Sequence, residues 1–119
     1  MEPIVGYSRA VVVGSHVFVS GTAPIPKDGA EAPTDAYAQT RLCLDIVRGA
    51  LEEAGSRLED VVRTRLYLTD AADIGEVGRA HGEVFHAIRP ANTSIVVAAL
   101  FDPKWRIEIE VDALSPLSE

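Results

Sequence analysis

The sequence holds a single cysteine, Cys43, which can form neither an internal disulfide nor a cysteine-based metal site. It contains no Gly-x-Gly-x-x-Gly, no Gly-Lys-Ser/Thr phosphate loop and no His-Glu-x-x-His. Its three histidines, His16, His81 and His86, are too scattered for a local metal motif, so neither a metal nor another cofactor is expected. Basic residues are scarce, with 11 Lys and Arg against 18 Asp and Glu, a formal charge of −7. Such a field repels phosphate backbones, and the closest basic grouping is only Arg63 and Arg65, so nucleic acid is not an expected partner. No apolar run approaches the roughly 18 residues of a membrane span, which leaves no membrane partner. The start, Met1-Glu2-Pro3-Ile4, lacks the basic and apolar regions of a secretion signal, and cytoplasm is the expected compartment.

What is present is an ordinary globular composition. With 119 residues, 47% hydrophobic and 24% charged, the chain is expected to form one domain spanning 1–119. Ala10–Gly14 and His16–Ser20 are β-branched and aromatic runs separated by a Gly14-Ser15 turn signal, which predicts a hairpin. Residues 23–33, with three prolines and Lys27-Asp28-Gly29, read as loop. Thr34 or Asp35 can cap a helix running to about Ala54, with Gly55 just past its end. Cys43, Ile46, Val47, Ala50, Leu51 and Ala54 fall on one face of that helix, so Cys43 reads as a buried core residue.

Residues 61–69 read as a strand. Asp70 or Asp73 then caps a second helix reaching about Ile88 and stopped by Pro90. Its stripe is Ile74, Val77, Val84, Phe85 and Ile88, with His81 inside it. Gly75, Gly78 and Gly82 gather on one shoulder, and their cost to helix stability, about 1 kcal/mol each, suggests close approach of another backbone there. Residues 92–100 are apolar on both alternate faces from Ile95 onward, so this strand is expected to be covered on both sides. Residues 106–113 alternate strictly, with Ile107, Ile109, Val111 and Ala113 on one face and Arg106, Glu108, Glu110 and Asp112 on the other. The order β-β-α-β-α-β-β is that of an α+β fold with both helices on one face of the sheet. Nothing remains to cover the other face, although Val17, Val19, Phe18 and both sides of the 95–100 run are apolar. A homo-oligomer packing sheet faces together resolves this.

Candidate chemistry is sparse. Val19-Ser20-Gly21 lacks the pattern of a nucleophile elbow. Glu108, Glu110 and Asp112 could do acid–base work, or could simply pair with Arg63 and Arg65 across strands. A carboxylate among them at a subunit seam would be desolvated and raised in pKa, but nothing local says which one.

Gly6-Tyr7-Ser8-Arg9-Ala10, Val17-Phe18-Val19-Ser20-Gly21, Arg89-Pro90-Ala91 and Ile107-Glu108-Ile109-Glu110 resemble, in order and spacing, the YjgF/Rid family of enamine/imine deaminases. The resemblance covers about Val5 to Leu114. It implies a homotrimer with a chorismate-mutase-like fold and three intersubunit clefts, in which a small imine or enamine made from an amino acid is hydrolysed to a ketoacid and ammonia. It places Glu108 as the residue steering the water, with Tyr7, Ser20 and Gly21 lining the cleft. It also implies an arginine after the Pro-Ala pair, gripping a substrate carboxylate, and often a cysteine two residues later. Here those positions are Asn92 and Ser94. A neutral amide forgoes about 1.5–3 kcal/mol per charge-assisted hydrogen bond. Arg9, or Arg106 near Glu108, could supply a cation instead, and His81 is a further candidate at the seam. The expected partner is a small molecule, either turned over or, in a second reading, only bound. RNA cleavage, a third reading, is disfavoured by the charge.

Overall fold

The computed structural model describes residues 6–115, so the Met1–Ile4 start lies outside the described residues. β1 (Ala10–Val13) and β2 (His16–Thr22) form the expected hairpin, closed at Val13 opposite His16. After the loop, α1 (Ala36–Glu53) begins where the Asp35 carboxylate accepts from the Ala38 N–H at 2.9 Å, a cap worth about 1 kcal/mol. It ends at Gly55, whose φ of +82° lets the N–H groups of Gly55 and Ser56 reach back to the carbonyls of Glu52 and Leu51. β3 (Val61–Leu68) follows a short 3₁₀ turn at Leu58–Asp60. α2 (Ile74–Phe85) follows another at Ala71–Asp73, which Asp70 caps by accepting from the Ala72 N–H. β4 (Ala91–Val96) and β5 (Ile107–Leu114) complete the fold.

The five strands form one mixed sheet in the order β1-β2-β5-β3-β4, parallel only between β3 and β4. The last strand is thus central. The alternation of β5 is realised: Ile107, Ile109, Val111 and Ala113 are buried beneath the helices with Val17, Val19, Leu66 and Leu68. Each large aliphatic side chain buried this way stabilises by about 1.5–3 kcal/mol. Cys43 is fully buried among them. Gln39, also buried, bridges three segments: its amide donates to the carbonyls of Pro33 and Lys104, and its Oε1 accepts from the Arg106 N–H at 2.7 Å. Both amide hydrogens and the amide oxygen are engaged, which is what a buried amide requires.

Four expectations need correction. α2 ends at Phe85 rather than Ile88, because the Phe85 carbonyl accepts from both Ile88 and Arg89 as the chain turns with Arg89 at φ +58°. Ile74, assigned to the apolar stripe, is exposed. Gly75, Gly78 and Gly82 have no atom within 4 Å of where a side chain would sit, leaving aside the helix's own neighbouring backbone, so among the described residues of the protomer no other backbone approaches them. β4 is shorter than expected and is a sheet edge, all six of its residues exposed. The helices cannot reach it, because α1 packs over β2 and β5 and α2 packs on α1. The opposite face of the sheet is bare, with Val11, Val13, Phe18, Ile95 and Leu114 exposed around a band of charged side chains. Among the described residues, no helix is long and apolar enough to cross a membrane.

Candidate functional site

The bare face carries a cleft of about 510 Å³ where the ends of β2, β3 and β5 meet the segment after β4. Its position comes from an irregularity. β2 and β5 pair regularly up to Val19 opposite Val111, then slip so that Thr22 faces Ile109. The segment at Ser20 and Gly21 bulges, a device that re-aims a strand locally. Gly21 thereby lies against the Glu108 side chain: a Cβ there would collide with Oε2 and sit 3.3 Å from Cδ. Only glycine leaves the carboxylate its place.

Glu108 is half-buried in this position, and no ion pair neutralises it among the described residues. Burial, reinforced by the nearby charge of Glu110, pushes its carboxyl above the usual carboxylate range. Tyr67, which faces Glu108 across the β3–β5 pairing, donates its hydroxyl to Glu110 Oε1. That carboxylate holds the phenol above its ordinary range. Arg65 completes the row, contacting Glu110 at 3.4 Å and Asp112 at 3.2 Å. The cross-strand pairing foreseen for this face therefore engages Glu110 and Asp112 and omits Glu108. Val97, Ala99, Leu100 and Phe101 form the apolar wall, and Phe101 is 99% exposed.

The other candidates lie elsewhere in the protomer. Ser20 donates its hydroxyl to the Ser8 carbonyl at 2.5 Å, and its N–H to the Arg9 carbonyl, tying the incoming chain to β2. Tyr7 and Arg9 are exposed beside this tie. Asn92 pairs with Thr64 in the parallel register, which turns its side chain toward the helices. Its amide donates to Thr64 Oγ1 at 2.9 Å and, more weakly, to the Thr64 carbonyl at 3.4 Å, while its Oδ1 accepts from Ser94 Oγ at 3.0 Å. Thr64 Oγ1 in turn lies 2.8 Å from His81 Nε2. Burial lowers the His81 pKa, which favours the neutral ring in this contact. His81 also packs against Phe85. The row Ser94–Asn92–Thr64–His81 is a self-satisfied network, and it does not open into the cleft. Arg106 does not meet Glu108 either: its guanidinium donates to the Thr34 carbonyl and to Asp73, locking the starts of both helices.

Of the sequence candidates, then, Glu108 and Gly21 share the cleft. Tyr67, Glu110 and Phe101 complete it. The alternation of β3 puts Tyr67 on the face of Arg63 and Arg65, a signal present in the sequence. Nothing in the sequence marks Phe101. Among the described residues no cluster of three or more His, Cys, Asp or Glu is arranged to hold a metal ion.

Residues 1–115 match the family described as Endoribonuclease L-PSP. The chain is 34% identical over 113 residues to the 2-iminobutanoate/2-iminopropanoate deaminase of Escherichia coli K12, covering 92% of this chain and 85% of that one. A solved Mycobacterium tuberculosis member of the YjgF/YER057c/UK114 family superposes with TM-score 0.86 at 44% identity, over 95% of this chain and 90% of that one. Escherichia coli TdcF, solved with bound serine, gives TM-score 0.85 at 29% identity, over 91% and 87% of the two chains.

Proposed function

The chain belongs to the Endoribonuclease L-PSP family, the YjgF family of its solved relatives, and from that premise we propose that it binds a small imine or enamine and hydrolyses it, with Glu108 steering the water. The observation that carries this reading is the carboxylate of Glu108, unpaired and partly desolvated above Gly21 in an apolar-walled cleft. A carboxyl held above the usual carboxylate range by burial is a better proton acceptor than an ordinary glutamate, which suits a general base that must also return the proton. As water adds through oxygen to the imine carbon, its proton passes to Glu108. Glu108 delivers that proton to the nitrogen, giving a carbinolamine, and the carbon–nitrogen bond breaks as the remaining hydroxyl proton follows the same route to the departing nitrogen. The products are a carbonyl compound and ammonia, and no redox partner is needed. The E. coli deaminase among the relatives supports this class of reaction.

The protein acts as a cytoplasmic homotrimer in this reading, with the cleft closed by a neighbouring copy. Exposed Val11, Val13, Phe18 and Ile95 support association, since a soluble protomer rarely leaves so much apolar surface to water. RNA cleavage, suggested by the family description, is not favoured: the charge is −7 and the cleft is lined by carboxylates.

The test is ammonia release from freshly generated imines of several amino acids, with sedimentation velocity run alongside. Expected are a trimer, turnover well above buffer, and a loss of about 10²-fold or more in Glu108→Gln. No acceleration for any imine overturns the hydrolytic reading. One observation favours the second reading, a module that binds without turnover: the Asn92 amide is spent inside the protein, where the resemblance implies a charged anchor. Thermal stabilisation by a ligand that is never converted would establish it.

A further inference from the structure

Phe101 is wholly exposed, yet the chain on either side of it is fixed. Before it, the Val97 N–H donates to the Leu68 carbonyl at 2.7 Å. After it, the Asp102 side chain accepts from the Lys104 N–H at 2.8 Å and the Asp102 carbonyl accepts from the Trp105 N–H. The buried Gln39 amide donates to the Lys104 carbonyl and ties this turn to α1. A large aromatic on a braced turn has apolar surface to bury and little backbone freedom left to lose. Those are the properties of an anchor residue at an interface.

The β1–β2 hairpin carries a matching patch. Val11 faces Phe18 in the register, Val13 follows on the same side, and all three are exposed. The His16 ring stacks beside Phe18 with 6.2 Å between centroids. In the order β1-β2-β5-β3-β4, three strand spacings, about 14 Å, separate β2 from β4, the strand that leads to Phe101. Anchor and patch therefore lie toward opposite edges of one sheet, and a ring of identical copies joins such unlike patches head to tail. The face between them carries spare charge of both signs. Glu110 and Asp112 share the guanidinium of Arg65, while partly buried Arg63 has neither hydrogen bond nor ion pair among the described residues. Such a face is electrostatically complementary to another copy of itself.

We infer that Phe101 is the anchor between copies of this chain, seated on the Val11, Val13 and Phe18 patch of the next copy. The contact brings two aromatic rings together and takes both apolar surfaces out of water. Phe101 is also a wall of the Glu108 cleft, so the docking that joins two copies closes that cleft in the same event. This rests on the assembly proposed above and names the residues that hold it.

The test is sedimentation velocity over a dilution series on the full chain, without substrate. Phe101→Ala and Phe18→Ala should each come apart at a concentration at least tenfold higher than the parent does. Phe101 has no cover within the protomer, so its truncation should leave the circular dichroism spectrum unchanged. Side chains that touch are not independent, and the double variant should dissociate within about threefold of the weaker single variant. An assembly indifferent to Phe101→Ala overturns the inference, as do penalties that multiply in the double variant. A parent that sediments as a single folded protomer at every dilution overturns it together with the trimer. Imine hydrolysis is measured on the same samples. Turnover by an assembly that ignores Phe101→Ala sinks this inference and leaves the hydrolase reading standing. An assembly that depends on Phe101 but turns over no imine does the reverse.

Discussion

Glu108 and Gly21 compete for one volume: the carboxylate lies where a side chain at residue 21 would have to be. The bulge in β2 supplies the glycine at that point, and the central position of β5 supplies the glutamate. Neither strand alone makes the site.

Gly21→Ala therefore acts on the carboxylate rather than on the backbone. The added methyl displaces the Glu108 head, and a reacting group moved by about 1 Å costs on the order of 10²-fold in rate. The variant should keep its fold by circular dichroism and lose imine hydrolysis by about that factor. A fully active Gly21→Ala would show that Glu108 is free to move.

Glu108→Gln should be more stable than the parent at neutral pH. The folded state raises the Glu108 pKa, so it holds that proton more tightly than the unfolded chain does. The stabilisation this gives is fully present below the usual carboxylate range and is lost as pH rises through the raised value. Glutamine stays neutral throughout. The variant's melting temperature should exceed the parent's by a few degrees at pH 7, and the gap should close in acid.

Thr64→Val removes the hydroxyl that joins His81 to Asn92. Both groups lose a partner at a site where Thr64 is fully buried, and the expected cost is about 1–3 kcal/mol. Chemical denaturation measures it directly. Since the network faces the helices, turnover per folded molecule should change little.

Cys43 should be inert in the native protein. Burial pushes its thiol far above the usual range, and no thiolate forms at neutral pH. Iodoacetamide, followed by intact-mass spectrometry, should modify it only after denaturant is added.

The parts of this molecule written in local pattern are legible from the residues. The alternation of β5, the Asp35 cap, the Gly55 stop and the core position of Cys43 each depend on neighbours within a few positions. Asn92 shows where local pattern stops being informative. Its direction is set by a parallel register with Thr64, a residue 28 positions away, and no local signal encodes which face of β4 it occupies. The cover expected over β4 is not supplied by its own protomer, for a related reason: apolar character at Ile95 and Val96 tells that burial is wanted, not which copy provides it. Tyr67 is visible as a strand aromatic. Its partnership with Glu110 needs the antiparallel pairing of β3 with β5. Glu108 cannot be told apart from Glu110 and Asp112 until Arg65 is seen to engage those two alone.

Among the described residues, β4 is the edge of the sheet, with no further strand on its outer rim. A rim of this kind is a template on which any extended segment can add another strand, including the same strand from a misfolded copy. Whatever seals that rim in the cell is consequently also the chain's protection against fibrillar growth, and variants that loosen the seal should be recognised first by their insolubility, before any loss of chemistry is noticed.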